Sequence, residues 1–274
     1  MDEAAAANHE LWEREVRAGC GFCKPWLDLD REAPLDSAPG LYPPELLAEV
    51  AGRRVLCLAA GGGQQSAVFG LLGAEVTVVD FVEGQLEADR IAARHYGYEV
   101  STIRSDMRDL SALGKESFDL VFQAESMAYV PDCATVFAEV ARVLRPGGTY
   151  RVEFLQPAAF AVEWDGSSYR VARPYAERTH EREDGGIETR HTLADVFNGL
   201  MRTGFEIASV HERPRTTGSD PEPGTWAHQE RYVAGGFAIV ARWPDRPDNP
   251  FCLYSPLRVC PNSDRSPLRR RGDR

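Results

Sequence analysis

The sequence predicts a doubly wound α/β protein. Three observations predict it: short apolar strands alternate with amphipathic helices, glycines or acids follow the strand ends, and no apolar run reaches membrane-spanning length. Fully apolar strands are buried on both faces, so helices are expected above and below a mostly parallel sheet.

The elements follow in order. Residues 4–17 read as a helix with Leu11, Trp12 and Val16 on one face, suited to a lid or docking role. Residues 19–42, rich in Gly, Pro and Asp, lack periodicity and read as an ordered loop held by Trp26 and Leu27. Pro43 and Pro44 fit the first turn of a short helix through Leu46, Leu47 and Val50. The run 54–60 (RVLCLAA) reads as a strand, followed by Gly61, Gly62 and Gly63 and a helix over 64–72. The strands expected next are 75–79, 100–104, 118–123 and 150–154, with helices over 83–96 and 134–144 and a turn at Arg145-Pro146-Gly147-Gly148. A helix over 193–201 and strands over 205–210 and 233–243 complete seven strands. The irregular stretches 157–191 and 212–230 read as loops or a small cap over one end of the sheet. The chain therefore divides into an N-terminal helix and loop (1–42), a cofactor-binding core (43–156), a cap insertion (157–191), the rest of the sheet (192–245) and a tail (246–274).

Bulk properties narrow the function classes. The chain has 274 residues, 43% hydrophobic and 27% charged, ordinary for a globular protein. A net charge of −11 repels phosphate backbones, so a nucleic-acid partner is not expected, and neither is a membrane. The basic run 265–274 reads as a solvated end. The N-terminus carries acids early and lacks an apolar stretch of signal type, which predicts a cytoplasmic protein. Of six cysteines, Cys57 and Cys133 fall in core elements. Cys20 and Cys23 are spaced CxxC, and Cys252 and Cys260 lie near the other end. Unrelated thiols are the expected reading, with a four-thiolate zinc site as the alternative.

The chemistry concentrates between Val55 and Asp80. Glycines after a strand let the backbone approach a ligand, and the following helix offers its N-terminal N–H groups. An acid closing the second strand can accept hydrogen bonds from both hydroxyls of a ribose, and Asp80 lies 17 residues past Gly63. Dinucleotide enzymes share this pattern. However, GxGxxG is absent, no Tyr-x-x-x-Lys pair occurs, and the only lysines are Lys24 and Lys115, which argues against a nicotinamide-dependent oxidoreductase. A second acid, Asp106, closes the third strand and can take a hydrogen bond from an adenine amino group.

With FDLVFQAESMAYVPD (118–132) and ARVLRPGGTYRVEF (141–154), the sequence resembles the class I S-adenosylmethionine-dependent methyltransferases over residues 50–155, and more loosely over 205–243. The run LCLAAGGGQQ (56–65) is similar to that of small-molecule methyltransferase-like proteins. The resemblance implies an antiparallel last strand, S-adenosylmethionine as cofactor with S-adenosylhomocysteine as product, and methyl transfer to a small-molecule O, N or S nucleophile. It implies that Ala59, Ala60, Gly61 and Gly63 hold the methionine part of the cofactor. Asp80 would bind the ribose, with Phe81 and Gln85 beside it. Asp106 and Met107 would meet the adenine, and Gln123 and Ala124 would lie near the sulfonium. The family commonly has an acid where Cys57 stands and a glycine where Ala59 stands. Those departures keep a non-catalytic cofactor-binding protein as the alternative.

Methyl transfer is a single in-line displacement whose catalysis is mainly alignment, so no obligatory catalytic signature is expected. Candidates for substrate contact or proton removal are Glu125, Tyr129, His180, His191, Trp226 and His228. Each has a structural alternative: Glu125 as a cap for the next helix, Tyr129 packing under the cofactor loop, His191 as a surface or capping residue. Phe160, Trp164, Tyr169 and Tyr175 in the cap, with several arginines, suggest an aromatic or anionic acceptor or a cap core of their own.

Overall fold

β1 (Arg54–Leu58) shows why both faces of the sheet are covered. Val55 and Cys57 pack with Leu47, Phe69 and Val78 on one side, while Leu56 and Leu58 pack with Val136, Phe137 and Val140 on the other. The period-2 alternation of a strand thus feeds two cores at once. Burying each such aliphatic or aromatic side chain stabilises the fold by about 1.5–3 kcal/mol. The computed structural model describes residues 2–38, 41, 43–212 and 220–245.

The seven-stranded sheet is formed by β1, β2 (Glu75–Asp80), β3 (Val100–Arg104), β4 (Phe118–Gln123), β5 (Leu144–Leu155), β10 (Glu206–Glu212) and β11 (Gly236–Arg242). Their order is β10-β11-β5-β4-β1-β2-β3. Pairings from β3 through β5 are parallel, and β11 runs antiparallel to both β5 and β10. The fold class is therefore the expected doubly wound one. α2 (Pro44–Ala48), α3 (Gln65–Leu71) and α4 (Glu83–Tyr96) contribute Leu47, Phe69 and Leu86 to one core; α5 (Cys133–Val143) and α6 (Leu193–Thr203) contribute Val136, Phe137, Val196 and Leu200 to the other.

Several local readings are corrected. Arg145–Gly148 is no separate turn: β5 starts at Leu144, opposite Phe118, and its register slips before Thr149 pairs with Leu120. Gly147 takes φ 75° within this bulge, and Gly147 and Gly148 exchange backbone hydrogen bonds with Trp243. In the loop after the first helix, Trp26 packs inward but Leu27 is exposed; Leu29 supplies the buried anchor, its N–H donating to the Tyr96 hydroxyl. The cap is more ordered than its composition suggests. It forms two hairpins, β6 (Val162–Trp164) with β7 (Tyr169–Val171) and β8 (Thr179–Glu181) with β9 (Ile187–Thr189). Part of the 212–230 stretch is helical, α7 (Trp226–Gln229).

Cys20 and Cys23 are bonded to each other rather than free or poised for a metal. Among the described residues no cluster of His, Cys, Asp or Glu could hold a metal ion, and Cys252, Cys260 and the basic run 265–274 lie outside them. Cys57 and Cys133 are buried free thiols. No helix among the described residues is long and apolar enough to cross a membrane.

Candidate active site

The parallel strands end beneath a cavity of about 1120 Å³, at the carboxyl edge where such sheets bind ligands. Its floor is the loop after β1. Ala59 sits there at φ 45°, a left-handed conformation that favours glycine and costs an L-residue roughly 1–2 kcal/mol. At Gly61 a Cβ would come within 2.6 Å of the Gln85 side chain and 3.0 Å of the Asp80 carboxylate, so a side chain there would fill the floor.

Asp80 ends β2 and is buried. Its Oδ1 accepts from Val82 N at 2.9 Å and its Oδ2 from Gly61 N at 3.2 Å. The Phe81 N–H also acts on this carboxylate, and with about two acceptor positions on each oxygen the group still has capacity for a ligand hydroxyl. Burial pushes the Asp80 carboxyl up to about 6. Register places the tips of β2 and β3 side by side, Ser105 N donating to Asp80 O, and both Asp80 and Asp106 line the cavity. Asp106 is already gripped by Arg108, Nη2 to Oδ2 at 2.6 Å and Nε to Oδ1 at 3.0 Å. Arg108 in turn reaches Asp2, the N-cap of α1 (Glu3–Ala18).

Phe81, Gln85, Met107, Ala60 and Ala124 also line the cavity, and the Gln85 Oε1 has no hydrogen-bond partner. Two expected residues do not line it. Gly63 is pressed against α4, where a Cβ would lie 2.4 Å from the Ala88 carbonyl oxygen. Gln123 is fully buried, its amide donating to Ser126 Oγ at 3.0 Å and accepting from the Tyr150 hydroxyl at 2.5 Å.

Of the substrate-contact candidates, Glu125, Tyr129, His180 and Trp226 line the cavity. Tyr129 meets Trp12 of α1 edge to face at 5.8 Å, and burial pushes its phenol up to about 12. The other two histidines lie elsewhere. His191 is buried rather than at the surface. Its Nε2 sits 3.0 Å from both the Met127 and Val130 carbonyl oxygens, and burial lowers its pKa, so it staples the loop before α5 to the start of α6. His228 packs in an aromatic cluster with Trp164, Tyr169 and Tyr232, its Nδ1 2.8 Å from the Tyr169 hydroxyl. The cap aromatics Trp164 and Tyr169 thus form their own core, whereas Phe160 faces the cavity.

Sequence reasoning missed three residues. Asn8, fully buried on α1, pairs with β9 like a strand residue: Nδ2 donates to Ile187 O at 2.8 Å and Oδ1 accepts from Ile187 N at 2.8 Å. This fastens α1 over the cavity. Glu153, buried at the end of β5, lines the cavity beside Arg151, whose Nη1 lies 3.1 Å away. Asp89 on α4 holds the glycine loop from behind. Its spacing on a helix full of acids and arginines carried no signal that it points inward.

An adenosyl ligand fits this donor set. Asp80 keeps free acceptor positions, Phe81 and Met107 supply apolar faces, Gln85 carries an unpartnered oxygen, and carboxylates outnumber guanidinium groups around the walls, which suits a cationic ligand. Comparisons with known proteins agree. Residues 56–152 match the family described as "Methyltransferase domain". The chain is 29% identical over 239 residues to the uncharacterized methyltransferase YbaJ of Bacillus subtilis, covering 77% of this chain and 91% of that protein. It is 33% identical to the ubiquinone biosynthesis O-methyltransferase of Xanthomonas campestris, covering 58% of this chain and 68% of that enzyme. Xanthomonas euvesicatoria has an enzyme of the same name that is matched over 57% of its length. Among solved structures, an S-adenosylmethionine-dependent methyltransferase from Mesorhizobium loti superposes with a TM-score of 0.63 at 25% identity, covering 79% of this chain and all of that one. Fold and site define an S-adenosylmethionine-dependent methyltransferase. The chain belongs to the class I family of these enzymes.

Proposed function

We propose that the protein methylates a small-molecule nucleophile held beneath α1 and the cap, next to the cofactor. The observation that carries this reading is one cavity lined both by Asp80, Asp106 and Gly61 and by Trp12, Tyr129, Phe160 and Trp226. At about 1120 Å³ it exceeds the roughly 300–1,000 Å³ usual for a single-ligand pocket, which leaves room for an acceptor. The Xanthomonas relative's name, an O-methyltransferase of ubiquinone biosynthesis, supports an organic acceptor of modest size. Bound S-adenosylmethionine supplies an electrophilic methyl group. The residues proposed to hold it are Ala59, Ala60 and Gly61 at the methionine end, Asp80 and Gln85 at the ribose, Phe81, Asp106 and Met107 at the adenine, and Ala124 towards the acceptor.

The chain's own contribution is alignment and exclusion of water. Asn8 clamps α1 onto β9, and Trp12 and Tyr129 present an aromatic wall against which a flat acceptor can stack. Tyr129, with its phenol raised to about 12, stays protonated at neutral pH and donates a hydrogen bond rather than removing a proton. His180 and Glu125 are the groups lining the cavity that are proposed to accept a proton from a phenol or ammonium acceptor. The excess of carboxylates over guanidinium groups, with Arg173 paired to Glu163 and Arg182 to Asp184 and Glu188, favours neutral or cationic acceptors over anionic ones.

The test is a panel of phenols and amines incubated with the protein and S-adenosylmethionine, with S-adenosylhomocysteine measured by mass spectrometry. At least one acceptor is expected to give product, and Trp12→Ala should raise that acceptor's KM by about tenfold, the scale of a lost aromatic contact, without changing cofactor affinity. Tight cofactor binding with no product from any acceptor would favour the non-catalytic alternative instead.

A further inference from the structure

The strand β1 that leads into the glycine loop carries no acid; Cys57 stands near its end, fully buried. A loop with exposed N–H groups and left-handed glycines needs something to fix its shape, or it must be ordered each time a ligand binds. Here Asp89, on α4, performs that task from the opposite side. Its Oδ2 accepts from Gly62 N at 3.2 Å, its Oδ1 accepts from Gly63 N at 3.1 Å, and the Ser66 hydroxyl donates to the same Oδ1. Gly62 N also donates to the Gln85 carbonyl oxygen at 3.1 Å. The Asp89 carboxylate is completely buried and forms no ion pair with any Lys or Arg among the described residues, so the loop's N–H groups and the Ser66 hydroxyl are what stabilise it. Burial pushes the Cys57 thiol up, and the Asp89 charge adds to that shift.

We propose that Asp89 is the positioning residue for the cofactor loop. The carboxylate that pins the glycines comes from α4, and β1 contributes only the buried Cys57 thiol. This rests on the reading that the loop carries the cofactor. Three features of the site follow from it. Gly62 and Gly63 have their N–H groups turned back into the protein, so they shape the loop rather than touch a ligand. Gly61, whose N–H lies on Asp80, is the glycine that faces the cavity. Cys57 is dispensable as a thiol, because nothing in the loop bonds to it.

The test moves the acid from α4 to β1. S-adenosylhomocysteine is titrated calorimetrically into wild type, Asp89→Ala, Cys57→Ala and the double variant Asp89→Ala/Cys57→Asp. Asp89→Ala is expected to raise the dissociation constant by about tenfold or more, the scale of lost hydrogen bonds to a charged group, while an acceptor's KM stays unchanged. Cys57→Ala is expected to bind like wild type, and the double variant is expected to recover most of the lost affinity. Unchanged affinity in a folded Asp89→Ala protein would overturn the proposal, as would a double variant that binds no better than Asp89→Ala. If Asp89→Ala alone does not fold, the double variant still decides: a folded, ligand-binding protein supports the relocation and an unfolded one refutes it. A wild-type chain that binds no S-adenosylhomocysteine contradicts the functional reading itself, an outcome distinct from any of these.

Discussion

Asp80 and Asp89 are buried carboxylates nine residues apart, yet only the first is legible in the sequence. Asp80 closes a strand after a glycine turn, a position whose chemistry is set by topology. Asp89 sits in a helix whose acids and arginines otherwise face solvent, and only the packed structure turns it inward. Burial raises both carboxyls, Asp80 to about 6 and Asp89 to about 7. In the folded protein they therefore keep protons that the unfolded chain releases near 4, so their contribution to stability falls as pH rises from about 4 to 7. With the ribose placed at Asp80 as proposed, cofactor binding has the opposite slope there, because hydroxyls donate to the charged carboxylate. Affinity for S-adenosylmethionine is expected to rise as pH increases through about 6, where Asp80 ionises, and to level off above about 7, where Asp89 behind the loop has ionised as well. Calorimetry across pH 5–8 checks this, and Asp80→Asn should flatten the step near 6. Persistence of that step in the variant would assign it to another group.

Helices and strands were the most legible level, because period-2 runs and glycine stops state where a buried strand begins and ends. The short cap hairpins were hidden. Their three-residue strands carry too little alternation to read, and their turns are set by side chains: Asp165 accepts from the Ser167 and Ser168 N–H groups, and Asp184 from Gly186 N. Within the RPGG bulge the glycines looked like a turn because a bulge uses the same backbone freedom. α6 is fixed by a reciprocal cap: Asp195 N donates to Thr192 Oγ1 at 3.1 Å and Thr192 N donates to Asp195 Oδ2 at 2.8 Å. Because His191 immediately precedes this cap and holds the loop before α5, the cap links two elements that pack together. Thr192→Ala is expected to lower stability by about 1 kcal/mol in urea denaturation, with no change in cofactor affinity. A loss of cofactor binding there would mean that the cap acts on the site.

At the scale of the whole molecule, two sequence-distant pieces roof one sheet edge. α1 comes from the N-terminal end and the hairpins from beyond β5, joined by the Asn8–Ile187 pairing, while Trp12 of α1 meets Tyr129 from the loop between β4 and α5. Composition showed neither, since a buried asparagine looks like any polar residue until its partner strand is known. What the sequence did expose was the cofactor end, where β2 and β3 deliver Asp80 and Asp106 to neighbouring positions. Both line the same cavity, and the account depends on what binds between them. A crystal structure of the full chain with S-adenosylhomocysteine tests this most directly. The account predicts the ribose hydroxyls within about 2.5–3.0 Å of the Asp80 carboxylate and the adenine between Phe81 and Met107. A ribose seated elsewhere, with Asp80 still turned to Gly61 and Val82 alone, would contradict it.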